Sequence, residues 1–99
     1  SIAGNILMID PSLSAYNITK INFLDGDPVV GTVIKIVGGR AAAPYNTVTQ
    51  GSGYSQGTIK LETSAWSDIT ENIISLMYVE YVDSSTVSVP IWIEEFRTS

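Results

Sequence analysis

The run TVSVPIWIEEF, residues 86–96, alternates strictly: Val87, Val89, Ile91 and Ile93 fall on one side of an extended chain, and Ser88, Pro90, Trp92 and Glu94 on the other. A helix would need apolar positions three and four apart, so a period of two makes this segment a strand, with the Val87–Ile93 row expected in the core. Pro90 has no amide hydrogen to give a ladder. The strand therefore lies at a sheet edge, or turns Pro90 away from its partner. Just upstream, IISLMYVEYVD sets Ile74, Leu76, Tyr78, Glu80 and Val82 against Ile73, Ser75, Met77, Val79 and Tyr81. Both rows carry apolar residues, which predicts a central strand. Asp83, Ser84 and Ser85 form a short polar turn between the two runs, giving an antiparallel hairpin.

The same vocabulary recurs along the chain, with β-branched runs separated by Gly, Pro, Asn, Asp and Ser. NITKINFL, VVGTVIKIVGG and GTIKLET read as strands, and Gly26 between Asp25 and Asp27 marks the turn joining the first two. NILMI and NTVTQ are weaker strands. The chain is 99 residues long, which leaves room for one core, so residues 1–99 are expected to be a single all-β domain: a small antiparallel sandwich of about seven strands. One segment competes. In WSDITENIISLM, Asp68 and Glu71 have capping-box spacing and Ile69, Ile73, Leu76 and Met77 fit a helical stripe, so a short helix at residues 67–73 is the rival reading. Residues 38–57, GGRAAAPYNTVTQGSGYSQG, are small and polar. They predict a flexible loop with at most an edge strand, or an arm that orders against a neighbouring subunit through Arg40, Tyr45 and Tyr54.

Charge and missing residue types narrow the chemistry. There is no Cys and no His, which removes disulfides, thiolate metal sites, the commonest metal ligand and the neutral-pH general base. Ten Asp and Glu oppose five Lys and Arg, and the cations Lys20, Lys35, Arg40, Lys60 and Arg97 stand singly, so neither nucleic acid nor an anionic membrane surface is expected as a partner. No apolar stretch reaches the length of a membrane-spanning helix. The opening residues lack the regions of a secretion signal, so either an initiator Met was lost before Ser1 or a signal was removed. Asp25 with Asp27, or Glu94 with Glu95, are the only paired carboxylates to weigh as hydrolytic groups. The first pair suits a turn better, and the second points to opposite strand faces. Calcium is the one metal within reach, through Asp10, Asp25 and Asp27, although their spacing fits no calcium loop. Asn17, Ile18 and Thr19 form a glycosylation triplet of a kind that arises by chance. Gly51 to Gly57 read as flexible linkage, since no helix follows them as in a phosphate loop. No enzymatic activity and no cofactor are expected.

Two stretches carry a family resemblance. Asp25, Gly26, Pro28 and Val29 lead from one strand to the next, Thr49, Gly53, Tyr54 and Gly57 shape a later turn, and YVEYVDSSTVSVPIWI closes the chain as a final hairpin. The pattern resembles bacterial immunoglobulin-like and transthyretin-like modules. The resemblance implies a sandwich used for display, adhesion or assembly, including domains that decorate virus capsids, and no activity.

The aromatic residues supply the remaining candidates. Trp66 and Trp92 could stack on sugar rings. Trp92, beside Pro90 and near Phe96, lies opposite the expected core row and so reads as an interface residue. A mean hydropathy of +0.22, with apolar residues on both faces of the last strands, implies more apolar surface than a small monomer can hide. The expectation is a self-associating structural protein, present in many copies as a virion component such as a capsid decoration protein. The alternative is an extracellular adhesin-type, filament-forming or carbohydrate-binding module.

Overall fold

A computed structural model describes residues 5–24 and 26–98. Among these residues the regular structure is all strand: β1 (Asn5–Met8), β2 (Asn17–Ile18), β3 (Val33–Val37), β4 (Thr47–Val48), β5 (Ile59–Lys60), β6 (Trp66–Ser67), β7 (Ile73–Val82) and β8 (Ser88–Thr98). A five-stranded sheet in the order β1-β3-β7-β8-β5 and a three-stranded sheet in the order β2-β4-β6 form the small two-sheet sandwich expected of the sequence. Its pairing is mixed. The contacts of β1 with β3, β2 with β4 and β5 with β8 are parallel, and the other three are antiparallel. Isolated bridges, Lys20 with Thr58 and Arg40 with Ile69, stitch one sheet to the other.

The β7–β8 hairpin is the frame. Its turn is held by Asp83, whose carboxylate accepts the amides of Ser85 at 2.8 Å and Val87 at 3.1 Å, the local bonding that favours Asp in turns. Leu76 faces Glu94 and Tyr78 faces Trp92 across the ladder, and Leu76, Tyr78 and Trp92, with Ile34 and Ile36 of β3, Ile59 of β5, and Val48 and Trp66 of the small sheet, build the core. Each buried aromatic ring removes roughly 150–250 Å² from water, worth about 4–6 kcal/mol before ordering entropy is subtracted. The core face of β8 is thus the Trp92 row and not the Val87–Ile93 row. Val87 is exposed and Val89 and Ile93 are half-buried, with Ile91 alone of that row fully covered. Alternation separates two faces without saying which turns inward. Here the large indole of Trp92, which meets Tyr78 at a centroid distance of 4.6 Å, decides it.

Pro90 behaves as its chemistry requires. Trp92 donates its amide to Thr58 and the Pro90 carbonyl accepts from Gly57, both at 2.9 Å. Residues 90 and 92 therefore direct their backbone groups away from β7, where no proline amide is needed.

Residues 67–73 are not helical. Trp66 and Ser67 pair with β4 as a strand that the periodicity did not suggest, and Glu71 has a φ of 77°, outside the right-handed region. The side chain that would have capped a helix is engaged elsewhere: the buried Asp68 carboxylate accepts Asn46 N at 2.8 Å and Asn46 Nδ2 at 2.7 Å. Residues 38–57 likewise lie against their own chain and do not form a free arm. Val48 and Asn46 are buried, and a Cβ at Gly38 would collide with the backbone of Asp68 and Ile69, so only glycine permits that approach.

Candidate interaction surface

More large apolar side chains are exposed than buried among the described residues, and they are not scattered. Most of them gather at three places that the topology defines.

The first is the β1 edge. Ile6, Leu7 and Met8 are 72%, 44% and 56% exposed although all three lie in a strand. Register explains their positions. Leu7 stands beside Ile36, on the core side, while Ile6 stands beside Lys35 and Met8 beside Val37, on the outer side. Between β1 and the Ile9–Ile21 segment an open groove of about 300 Å³ is lined by Leu7, Met8, Leu13, Tyr16 and Ile18, with Ile36 as its floor. Asp10 is the one carboxylate on its lining. That carboxylate accepts Ser12 N and Ser12 Oγ, each at 2.9 Å, and these bonds hold it below the usual carboxylate range.

The second is the outer face of the five-stranded sheet. Val33 stands beside Met77, and Met77 beside Ile93, while Val79 stands beside Ile91. All but Ile91 are half-buried. Phe96, 48% exposed, extends the row opposite Ser75. Tyr54 stacks on Tyr81 with centroids 4.0 Å apart, and Lys60 Nζ sits 4.3 Å from the Tyr54 ring.

The third is the loop from Phe23 to Gly31, where Leu24, Val29 and Val30 are exposed. Gly31 donates its amide to the Tyr78 carbonyl at 2.7 Å, which carries this loop alongside β7.

The residues singled out by sequence are dispersed by the fold. Trp92 is fully buried and donates Nε1 to the Ile21 carbonyl at 3.1 Å, so it is a core residue and not a contact. Trp66 is 1% exposed. Neither indole has a face free for a sugar, so the two form no stacking platform. Arg40 is committed to its own chain: Nε donates to Pro44 O at 2.6 Å and one terminal nitrogen to Pro11 O at 2.7 Å and Leu13 O at 2.9 Å. It anchors the loop that forms one wall of the groove. Tyr45 is half-buried. Tyr54 and Phe96 are the candidates left with exposed rings, and both belong to the outer face of the large sheet. Asp25 lies outside the described residues. Asp27 accepts a hydrogen bond from Gln56 Nε2, and among the described residues no group of three or more His, Cys, Asp or Glu comes together.

Glu94 and Glu95 do point to opposite sides. Glu94 is buried and meets Arg97 in a two-pronged pair, Oε2 to Nε at 2.8 Å and Oε1 to a terminal nitrogen at 2.9 Å, whereas Glu95 accepts from Ser75 Oγ at 2.8 Å. The guanidinium holds the Glu94 carboxyl below its ordinary range, against the opposing effect of burial. Arg97 also donates to Ser64 O at 2.7 Å, so the pair pins residues 62–65 against β8.

NILMI shows no alternation, so periodicity does not mark the groove. The available signal was its lack of any charged residue, which marks a strand with apolar side chains on both faces. Among the described residues no helix is long and apolar enough to cross a membrane. No protein-family model, curated protein or solved structure matches this chain.

Proposed function

We propose that this chain is a non-catalytic assembly protein that works through contacts with other proteins, in its most concrete form a multi-copy virion component such as a capsid decoration protein. One observation carries the reading: among the described residues, large apolar side chains left exposed outnumber those buried, and most of them concentrate on a bare strand edge, a sheet face and one loop. Monomers rarely present contiguous apolar patches above a few hundred Å² unless something covers them. Association stabilises the folded form by mass action, an advantage to a chain with no cysteine and a small core. The charged groups fit the same reading. Asp68, Glu94, Arg40 and Arg97 each have partners within the fold, as side chains that hold a structure together do.

The extracellular reading, an adhesin-type or filament-forming module, shares the same surfaces and differs in context. Its carbohydrate-binding version has no support, because both tryptophans are inside. Light scattering on the purified chain should give a stable oligomer, and an antibody raised against it should label virions. A monomer at every concentration, with no labelling of particles, would remove the proposal. Labelling of a cell surface instead would favour the extracellular form.

A further inference from the structure

We infer that the outer edge of β1 is the place where two copies of this chain join, strand to strand and antiparallel, about an axis at Leu7. This rests on the assembly reading above and names the contact. β1 bonds to β3 along one side, and among the described residues its other side makes no backbone hydrogen bond with another strand. Such an edge is a template for another strand. Proteins that stay monomeric blunt it with lysine, proline, a bulge or a covering loop. Asn5, Ile6, Leu7 and Met8 include none of these residues.

The occupant follows from chemistry and symmetry. The edge calls for an uncharged strand that is apolar on both faces, since register puts Ile6 and Met8 on one side of the sheet and Leu7 on the other. β1 is itself such a strand, already extended and exposed. Charge points the same way. Two copies with a net charge of −5 each approach at least cost where no carboxylate stands. β1 has none, and Asp10 beside the groove is turned onto Ser12. A basic partner would instead be drawn to carboxylates that this edge lacks.

A two-fold axis perpendicular to the sheet makes neighbouring strands antiparallel and keeps each sheet face on its own side. Same-face residues must then oppose one another. Centring the axis on Leu7 sets Leu7 against its counterpart over the two grooves, and Ile6 against the other copy's Met8 twice on the outer face. The large sheets become continuous, and the contact closes as a dimer without leaving an edge to propagate.

The chain contains no cysteine, so one introduced thiol reports on one place. Leu7→Cys under mild oxidation should convert most of the protein to a disulfide-linked dimer, since directly opposed Cβ atoms lie roughly 4.5–5.5 Å apart. Ser84→Cys, at an exposed position of the hairpin turn, should give only collisional cross-linking. Ile6→Lys should weaken dimerisation roughly a hundredfold, because the two-fold axis brings the lysine into the interface twice, with circular dichroism and Tm unchanged in the isolated chain. Val87→Lys, in the exposed hairpin turn, should leave the mass as it is. An oligomer that persists in Ile6→Lys and does not cross-link through Leu7→Cys overturns this contact while leaving the assembly reading in place. A wild-type chain that is monomeric at every concentration overturns both.

Discussion

The two edges of the five-stranded sheet are finished in opposite ways. At the β8–β5 end the chain covers itself: β5 is bonded to β8, with Trp92 N reaching Thr58 O and Gly57 N reaching Pro90 O, the other side of β5 is met by Thr19 O on Ile59 N and by Gly51 N on Ile59 O, and Arg97 ties the carbonyl of Ser64 to the carboxylate of Glu94. Proline, lysine and an ion pair all stand there. At the β1 edge none of these devices appears, and three large apolar side chains face water. A backbone edge left bare at one end of a sheet that is closed with such care at the other is the structural basis for placing a partner there. Stability should therefore be sensitive at one edge and association at the other.

Substitutions at the closed edge test the first half of that statement. Trp92→Ala should cost about 3–5 kcal/mol in urea unfolding, since it empties the centre of the core and orphans the Ile21 carbonyl. Glu94→Gln should cost about 2–3 kcal/mol by leaving the Arg97 guanidinium short of its charge partner. The same pair sets an acid slope. Because the folded Glu94 carboxyl lies below its ordinary range, its contribution is complete above about pH 4.3 and is lost as the pH falls through the folded value. Tm measured against pH should show that loss in the wild type and a shallower slope in Glu94→Gln.

Smaller effects sharpen the comparison. Gly57→Ala should cost about 1–3 kcal/mol, since Gly57 has a φ of 82° and a Cβ there would meet the Ile21 carbonyl and the Asn22 side chain. Tyr54→Ala should cost about 1 kcal/mol, the value of an exposed aromatic stack with a cation over it. Met8→Ser at the bare edge should change the isolated chain's unfolding by no more than about 0.5 kcal/mol. If Met8→Ser destabilises the monomer as strongly as Glu94→Gln, β1 is a structural strand and the contrast fails.

Much of this architecture was legible in the residues, and the reasons for the rest are specific. The β7–β8 hairpin could be read because ten-residue and eleven-residue strands give alternation room to register, and because Asp83 starts a turn by bonding to its own backbone. The inward face of β8 could not, since the row that turns inward, Ser88, Pro90, Trp92 and Glu94, is the more polar of the two, and it does so because Trp92 meets Tyr78 and Glu94 meets Arg97. β6 is two residues long, too short for any period, and its pairing with β4 is a tertiary event. The helical pattern at 67–73 was a coincidence of apolar spacing overridden when Asn46 captured the Asp68 carboxylate. Interface residues were least legible. Composition points to abundant apolar surface without saying where it lies: Trp92, opposite the more apolar row, is inside, and Leu7 and Met8, which are exposed, stand in a segment with no alternation to mark them.

Amide hydrogen exchange, followed residue by residue at low and high protein concentration, compares the two edges in one sample. The Trp92 amide should be protected equally at both concentrations, because its acceptor belongs to the same chain. Of the Ile6, Leu7 and Met8 amides, those that point away from β3 should gain protection as the concentration rises and the second copy supplies their acceptors, while the alternate ones, already bonded to β3, should not change. Exchange at β1 that does not change with concentration would contradict the account.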